Sequence, residues 1–185
     1  LQYPVNIKTP NAKLAQFISS QYGGPDGEIG ASMRYLSQRF TAPNRMVAAV
    51  LNDVGTEELA HLEIVSTIVH QLTKDLSMEE IENSGLGPYY IDHTVGIWPQ
   101  AAGGVPFNAC EFQSKGDPIT DLFEDLAAEQ KARSTYDNIL RVVKNIPEVA
   151  DPIRFLRARE VVHFQRFGEA LVHVQEGLPK NVYAY

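Results

Sequence analysis

The stretch VLNDVGTEELAHLEIV, residues 50–65, decides the fold, because it belongs to one long amphipathic helix whose apolar face contains two polar residues. Apolar residues recur at steps of three and four, the spacing that lines one face of an α-helix. They are Val47, Leu51, Val54, then Leu62 or Val65, Ile68 and Leu72. The same steps pass through Glu58 and His61. Burying either group without a partner costs several kcal/mol, so either the helix is misassigned or something in the core binds both.

A second helical segment repeats this pattern near the end of the chain. Its apolar face consists of Ile153, Leu156, Phe167, Ala170 and Val174, again at steps of three and four. Glu160 and His163 interrupt this face, just as Glu58 and His61 interrupt the first. Residues three apart project from one side of a helix. Each Glu-x-x-His pair can therefore reach a single point in the core.

Composition limits the classes of protein that the chain can belong to. The 185 residues are 44% hydrophobic, enough for one sizeable core, and carry a formal charge of -7 without a block of Lys or Arg. We expect no nucleic-acid partner and no binding to an anionic membrane. No run of 18 apolar residues occurs, so no membrane-spanning helix is expected. The single cysteine, Cys110, fits a reducing compartment such as the cytoplasm.

Proline and glycine clusters divide the chain into four long helices and one long connection. We predict a short helix over 10–22, helix A over 25–40, helix B over 44–75, helix C over 118–145, and helix D over 152–176 after an interruption at Pro147. Asp117 is the predicted N-cap of helix C, and Ser77 with Glu80 forms a predicted capping box. The Gly-, Pro- and aromatic-rich residues 86–118 show no helical period.

This order predicts an all-α fold: a four-helix bundle with one long crossover and a short N-terminal helix. We expect a single domain over 1–185. Its parts are an N-terminal segment 1–24, helices A and B in 25–75, the crossover 76–117, helices C and D in 118–176, and a tail 177–185. Short loops join A to B and C to D, so each pair should be antiparallel neighbours.

Helices A and C each add one carboxylate to the inner face of this bundle. Glu28 lies on helix A, two turns before Tyr35, and Glu129 lies on helix C among apolar residues. Four carboxylates and two imidazoles at mid-bundle repel one another unless cations bind between them. One Glu from each of two helices and Glu-x-x-His from each of the other two is the ligand set of ferritin-like dimetal proteins. Oxygen and imidazole ligands suit manganese or iron, and do not separate the two.

Five segments of the chain resemble the manganese catalase family, in particular a short branch that includes a spore-coat member. They are GEIGASMRYLSQR (27–39), GTEELAHLEIV (55–65), AAGGVPF (101–107), KGDPITDLFEDLAAEQKARSTY (115–136) and REVVHFQRFGEAL (159–171). The resemblance covers nearly the whole chain. It implies a ferritin-like bundle with a dimanganese core that converts hydrogen peroxide to water and oxygen.

The resemblance also implies a role for each site residue. Glu28 and His61 would bind one manganese ion, Glu129 and His163 the other, and Glu58 would bridge the two. Glu160 would stay off the metals and carry protons. Tyr35 would donate a hydrogen bond close to the metal centre.

Two other functions remain open at this point. Glu160 could bind metal, which would give a ferritin-like di-iron oxidase or ferroxidase. Alternatively, the chain could be a structural coat protein with a residual metal core. The family implies a homo-oligomer, a hexamer in its longer members, and the coat-associated branch adds spore-coat proteins as candidate partners. The expected location is accordingly the cytoplasm or the spore coat.

Overall fold

The computed structural model describes residues 1–111 and 113–179, and regular structure in these ranges is helical apart from one isolated bridge between Gln100 and Pro106. The predicted tail lies partly outside them, since residues 180–185 are not described. The helices are α1 (Ala12–Ile18), α2 (Ser20–Gly23), α3 (Glu28–Gln38), α4 (Arg45–Thr73), α5 (Met78–Ser84), α6 (Gly87–His93), α7 (Pro118–Val143) and α8 (Pro147–Glu176), with 3₁₀ turns at Arg39–Thr41 and Ala109–Glu111.

Side-chain caps set several of the helix starts. The Asn44 side chain accepts a hydrogen bond from Val47 N (3.0 Å), and Asp117 accepts one from Thr120 N (2.8 Å). Ser77 and Glu80 form a complete capping box at the start of α5. These contacts satisfy backbone donors that have no partner within the helix. The predicted caps at Asp117 and Ser77 are thus confirmed.

Two predicted helix starts are wrong. Helix A begins at Glu28 as α3, because Pro25 lies in a turn closed by the hydrogen bond from Gly27 N to Gly24 O (3.0 Å). Helix D begins at Pro147 as α8, five residues early, and Pro152 lies inside it. A proline at the first helical position loses no hydrogen bond, and Pro152 removes only one backbone donor close to the helix start.

The N-terminal segment and the crossover are also more divided than predicted. The helix expected over 10–22 is split at Ser19 into α1 and α2. The crossover contains α6 and a 3₁₀ turn, where we expected no regular structure. The Asn11 side chain caps α1, and α6 has a proline in its first turn, but all of these elements are too short to show an apolar period.

The four long helices form two antiparallel pairs, as the short loops predict. On α3 and α4, Ser32 Oγ donates to Gly55 O (2.8 Å), and Arg39, in the 3₁₀ turn directly after α3, contacts Asn52 further back along α4. On α7 and α8, Asp137 meets Arg157 (3.0 Å), whereas His163 lies near Glu129. None of the helices in the described ranges combines the length and apolar composition that a bilayer crossing requires.

The apolar core of the bundle is divided into two clusters, and the polar residues lie between them. On α4 the first cluster contains Val47 to Val54, and the second contains Ile64 to Leu72. Glu58 and His61 fall in the gap. On α8, Glu160 and His163 likewise separate Leu156 of one cluster from Phe167 of the other. Both predicted helix faces are therefore buried, polar residues included.

Candidate metal centre

The inner faces of α4 and α8 bring the two Glu-x-x-His segments together. One potential ligand atom from each of Glu58, His61, Glu160 and His163 lies within 4.8 Å of the others. All four side chains are at most 1% exposed. The two polar interruptions recognised in the sequence therefore form one buried cluster.

Glu58 lies between the two imidazoles. Its Oε2 is 2.6 Å from His61 Nδ1, and its Oε1 is 2.9 Å from His163 Nδ1. The two rings are stacked, with centroids 5.3 Å apart and planes inclined by 17°. Burial opposes ionisation of Glu58, but the positive charges of His163 and His61 lower its pKa well below the usual range. One ionised carboxylate thus offers one oxygen to each half of the cluster.

Glu28 and Glu129 each lie beside one imidazole. Glu28 Oε2 is 3.8 Å from His61 Nδ1, and Glu129 Oε2 is 3.5 Å from His163 Nδ1. Burial, together with the charge of Glu58, raises the pKa of Glu28 to about 7 and raises the pKa of Glu129. The structure brings these residues to the places where ligands were predicted. Their role as ligands stays a prediction.

Glu160 is the most distant of the carboxylates from the imidazoles. Its Oε1 lies 3.9 Å from His61 Nδ1. Burial, and then the charges of Glu129 and Glu28, raise the pKa of Glu160 well above its ordinary value. A carboxyl group in this environment holds a proton more readily than its neighbours. This suits the predicted role of Glu160 as a proton carrier, which itself stays a prediction.

The polar atoms of the cluster approach one another closely, but several of them lack a well-aligned hydrogen bond. Separations of 2.6–3.9 Å occur between them, yet several of these buried atoms have no hydrogen-bond partner. They are both oxygens of Glu58, Glu129 Oε2, Glu160 Oε1, both nitrogens of His61, and His163 Nδ1. Buried polar atoms in native proteins are nearly always paired. Carboxylate oxygens and imidazole nitrogens that crowd together in the core without well-aligned hydrogen bonds fit ligands around cations, so this set fits a dimetal centre.

Two buried tyrosines hold the outer oxygens of the single carboxylates. Tyr35 O–H on α3 donates to Glu129 Oε1 on α7, and Tyr136 O–H on α7 donates to Glu28 Oε1 on α3. Each tyrosine follows the Glu of its own helix by seven residues and bonds to the Glu of the other. The sequence analysis assigned Tyr136 no role at the site. The repeated spacing of seven was the signal that could have identified it.

Glu57 and Arg159 complete the cluster on its outer side, and the sequence analysis missed both roles. Glu57 Oε2 is 3.0 Å from His163 Nε2, and Glu57 Oε1 is 3.6 Å from His61 Nε2. Arg159 donates to both oxygens of Glu57, from Nε (2.7 Å) and Nη2 (3.1 Å). One carboxylate therefore contacts the outer nitrogen of both imidazoles, and leaves both Nδ1 atoms facing the centre.

Comparison with known proteins agrees with this geometry. The profile of a family described as "Manganese containing catalase" matches residues 1–183. Protein CotJC of Bacillus subtilis is 48% identical over 181 residues, which are 98% of this chain and 95% of that protein.

The crystal structure of KatB, a manganese catalase from Anabaena, matches with a TM-score of 0.88 at 27% identity, over 99% of this chain and 83% of KatB. A dodecameric thioferritin from Bacteroides fragilis, 14% identical, matches with a TM-score of 0.56 over 88% of this chain and 86% of that chain, which shows a shared fold alone. The predicted ferritin-like bundle is confirmed.

Proposed function

Because the chain belongs to the family of manganese-containing catalases, we propose that it disproportionates hydrogen peroxide to water and oxygen at a dimanganese centre. The observation that carries the proposal is the convergence of buried donor atoms that have no hydrogen-bond partners. Without cations, the bundle would be more stable with Leu at these positions, because burying charged groups costs free energy. Two bound cations would offset the repulsion among the carboxylates and bind the buried oxygen and nitrogen atoms.

Five side chains would hold the two ions. Glu28 and His61 would bind one ion, Glu129 and His163 the other, and Glu58 would bridge them through its two oxygens. The support is the position of Glu58 between the two Nδ1 atoms, at 2.6 and 2.9 Å. Tyr35 and Tyr136 would orient the terminal carboxylates, since each donates a hydrogen bond to one of their oxygens.

The reaction needs a group that stores protons. One peroxide loses two protons and two electrons to become oxygen, and a second gains two of each to become two water molecules. When bound, the metal pair would supply the two-electron exchange. Glu160 would take up one of the two protons at its carboxylate when the first peroxide is oxidised and return it to the second peroxide, and the other proton would exchange with solvent water. Its burial beside other carboxylates, which raises its pKa, supports this assignment.

A di-iron oxidase or ferroxidase is the second candidate. One observation favours it: a potential ligand atom of Glu160 lies within 4.8 Å of those of Glu58, His61 and His163. A sixth ligand from Glu160 would make the two halves of the site symmetric, as in the ferritin-like di-iron set. The assignment of manganese itself rests on the family alone.

Loading the purified protein separately with manganese and with iron distinguishes the two candidates. We expect the manganese form to release oxygen from hydrogen peroxide, measured with an oxygen electrode, and the iron form to be much less active. Consumption of dioxygen by the iron form, with an inactive manganese form, would favour the oxidase. Bound manganese without oxygen release would favour a structural coat protein.

We also propose that the protein acts as a homo-oligomer, with six chains as the family resemblance implies, in the cytoplasm or the spore coat. Large apolar side chains exposed on the monomer support association, among them Phe40 (79% exposed) and Ile91 (81%). Light scattering coupled to size-exclusion chromatography measures the mass of the assembly. A monomer at micromolar concentration would contradict this part of the proposal.

A further inference from the structure

A second group of buried polar side chains lies between α3 and α7, outside the set of proposed metal ligands. Arg34 and Gln38 on α3 are 2% exposed, and Asp125 on α7 is fully buried. Arg34 and Gln38 are one helical turn apart, so both project from the same side of α3. The proposed catalytic roles leave this group without a task.

Several atoms of this group lack a well-aligned hydrogen bond within the protein. They are both carboxylate oxygens of Asp125, Arg34 Nε and Gln38 Oε1, all of them buried. Burial raises the pKa of Asp125 well above its ordinary value, and the neighbouring Gln38 amide opposes that rise. The charge of Arg34 likewise opposes the rise in the pKa of Asp125. Leaving such an atom unpaired costs about 1–3 kcal/mol. Ordered water is the usual partner of buried polar groups that the protein does not satisfy.

The inner end of this group reaches the metal centre. Asp125 precedes Glu129 by one turn on α7, and the charge of Glu129 contributes to raising the pKa of Asp125, after the larger effect of burial. Arg34 is the chain neighbour of Tyr35, whose hydroxyl donates to Glu129.

The outer end reaches the surface where the crossover meets α7. Gln38 Nε2 donates to Gln113 O (3.0 Å). Asp121, one turn before Asp125, accepts hydrogen bonds from Lys115 N (2.7 Å) and Gly116 N (3.0 Å). Asp121, Gln113 and Lys115 line a surface depression. The distance along α7 from Asp121 to Glu129 is about 12 Å at 1.5 Å per residue.

We propose that Arg34, Gln38 and Asp125 line a hydrated passage that carries water and hydrogen peroxide between this depression and Glu129. The four buried atoms are one hydrogen-bond donor, Arg34 Nε, and three acceptors, the two Asp125 oxygens and Gln38 Oε1. Water and hydrogen peroxide each donate two hydrogen bonds and accept others, so both complement this set. Carriage of peroxide rests on the proposed catalase function, whereas hydration of the passage does not.

Replacement of Asp125 tests the passage in the manganese-loaded protein. Asp125→Leu fills the space with an apolar side chain of similar size, and Asp125→Asn keeps a polar one. We expect the leucine variant to keep its metal content and its kcat at saturating peroxide within about twofold, and to lose about tenfold in kcat/KM. We expect the asparagine variant to lose less. Asp53→Leu, at an exposed position of α4, is the matched control and should leave both constants unchanged.

Three results would overturn or redirect the inference. An unchanged kcat/KM in a fully loaded Asp125→Leu variant would overturn it. If that variant does not fold or load metal, Gln38→Met, which removes the unpaired Oε1 at nearly constant length, takes its place with the same expectation.

If the wild type releases no oxygen, the proposed function fails, and a high-resolution crystal structure then tests hydration alone. Ordered water between Arg34 Nε and Asp125 would support the passage, and a direct ion pair between them would contradict it.

Discussion

At the scale of single residues, the site depends on carboxylates whose surroundings differ. Glu58 lies between two imidazoles, whose charges favour its ionised form despite its burial. Glu160 lies among other carboxylates, and burial together with their charges favours its protonated form. Two residues of one type, equally buried, are therefore suited to opposite tasks. Glu58 is suited to bind cations, and Glu160 to exchange a proton.

This difference predicts different effects of removing Glu160 and His61. Glu160→Ala should keep most of its manganese and lose activity by about 10²–10⁴-fold, the usual contribution of a positioned acid or base. His61→Ala should lose metal, because an Nδ1 ligand disappears. Elemental analysis beside oxygen release measures both, with Glu169→Ala on the exposed side of α8 as control. Wild-type activity in Glu160→Ala would remove its proton role.

Glu57 gives a second prediction at this scale. A carboxylate on the outer nitrogen of a metal-binding imidazole fixes the ring and its tautomer, and its loss typically costs about 10–100-fold in metal affinity or activity. Glu57 contacts both rings, so Glu57→Gln should weaken manganese binding by at least about tenfold. Titration of the metal-free protein with manganese gives the Kd. Equal affinities for the variant, the wild type and the exposed control Glu63→Gln would contradict this role.

At the scale of secondary-structure elements, close packing of α3 on α4 places Glu28 and His61 near each other. Gly55 is the point of contact. A Cβ there would lie 2.8 Å from Leu36 Cγ, and the Gly55 carbonyl accepts a hydrogen bond from Ser32 Oγ. A glycine within a helix costs about 1 kcal/mol relative to alanine. In return, this glycine lets α3 and α4 pack more closely than a residue with a Cβ would allow.

Two glycine-to-alanine variants test that packing. Gly168 on α8 has room for a Cβ, whose nearest neighbour would be Leu126 Cδ2 at 3.9 Å. Gly168→Ala should therefore raise the free energy of unfolding by up to about 1 kcal/mol. Gly55→Ala should lower it, because overpacking costs about 1–3 kcal/mol and exceeds the gain in helix propensity. Denaturant unfolding measures both variants. Stabilisation by Gly55→Ala would show that α3 does not pack this closely on α4.

The periodicity of the sequence predicts which residues lie on the buried face of each long helix. The faces of α4 and α8, with their buried Glu and His residues, follow from steps of three and four. Glu57 lies off that face, and its role arises only because α8 brings Arg159 and His163 beside it. Likewise Tyr136 and Asp125 acquire their surroundings from α3. The spacing of residues within one segment shows which side chains share a face of that helix. It does not show which side chains of another helix they will contact.

At the scale of the whole molecule, the polar cluster divides one bundle into two apolar clusters. Within the described residues, Ile64 and Leu156 lie on one side of it, and Val54 and Phe167 on the other. Repulsion among buried carboxylates weakens the middle of the bundle in the absence of cations. Bound metal would therefore contribute to folding as well as to the proposed catalysis.

Metal removal should accordingly lower the stability of the whole chain. Free manganese at 100 times its Kd stabilises the folded state by about 2.7 kcal/mol. For a protein of this size, that corresponds to a rise in Tm of about 5–10 °C. Calorimetry with and without a chelator measures the difference, and His61→Ala should show little of it. A wild-type Tm that does not respond to manganese would contradict this coupling.

The central claim is that the inward-pointing donors of the bundle surround two cations, and anomalous X-ray diffraction at the manganese absorption edge tests it most directly. For crystals of the manganese-loaded protein, we predict two anomalous peaks per chain, one on each side of Glu58. One peak should contact His61 Nδ1 and the other His163 Nδ1. The absence of anomalous density at mid-bundle, with Glu58 and both imidazoles bonded to one another or turned away, would contradict the account.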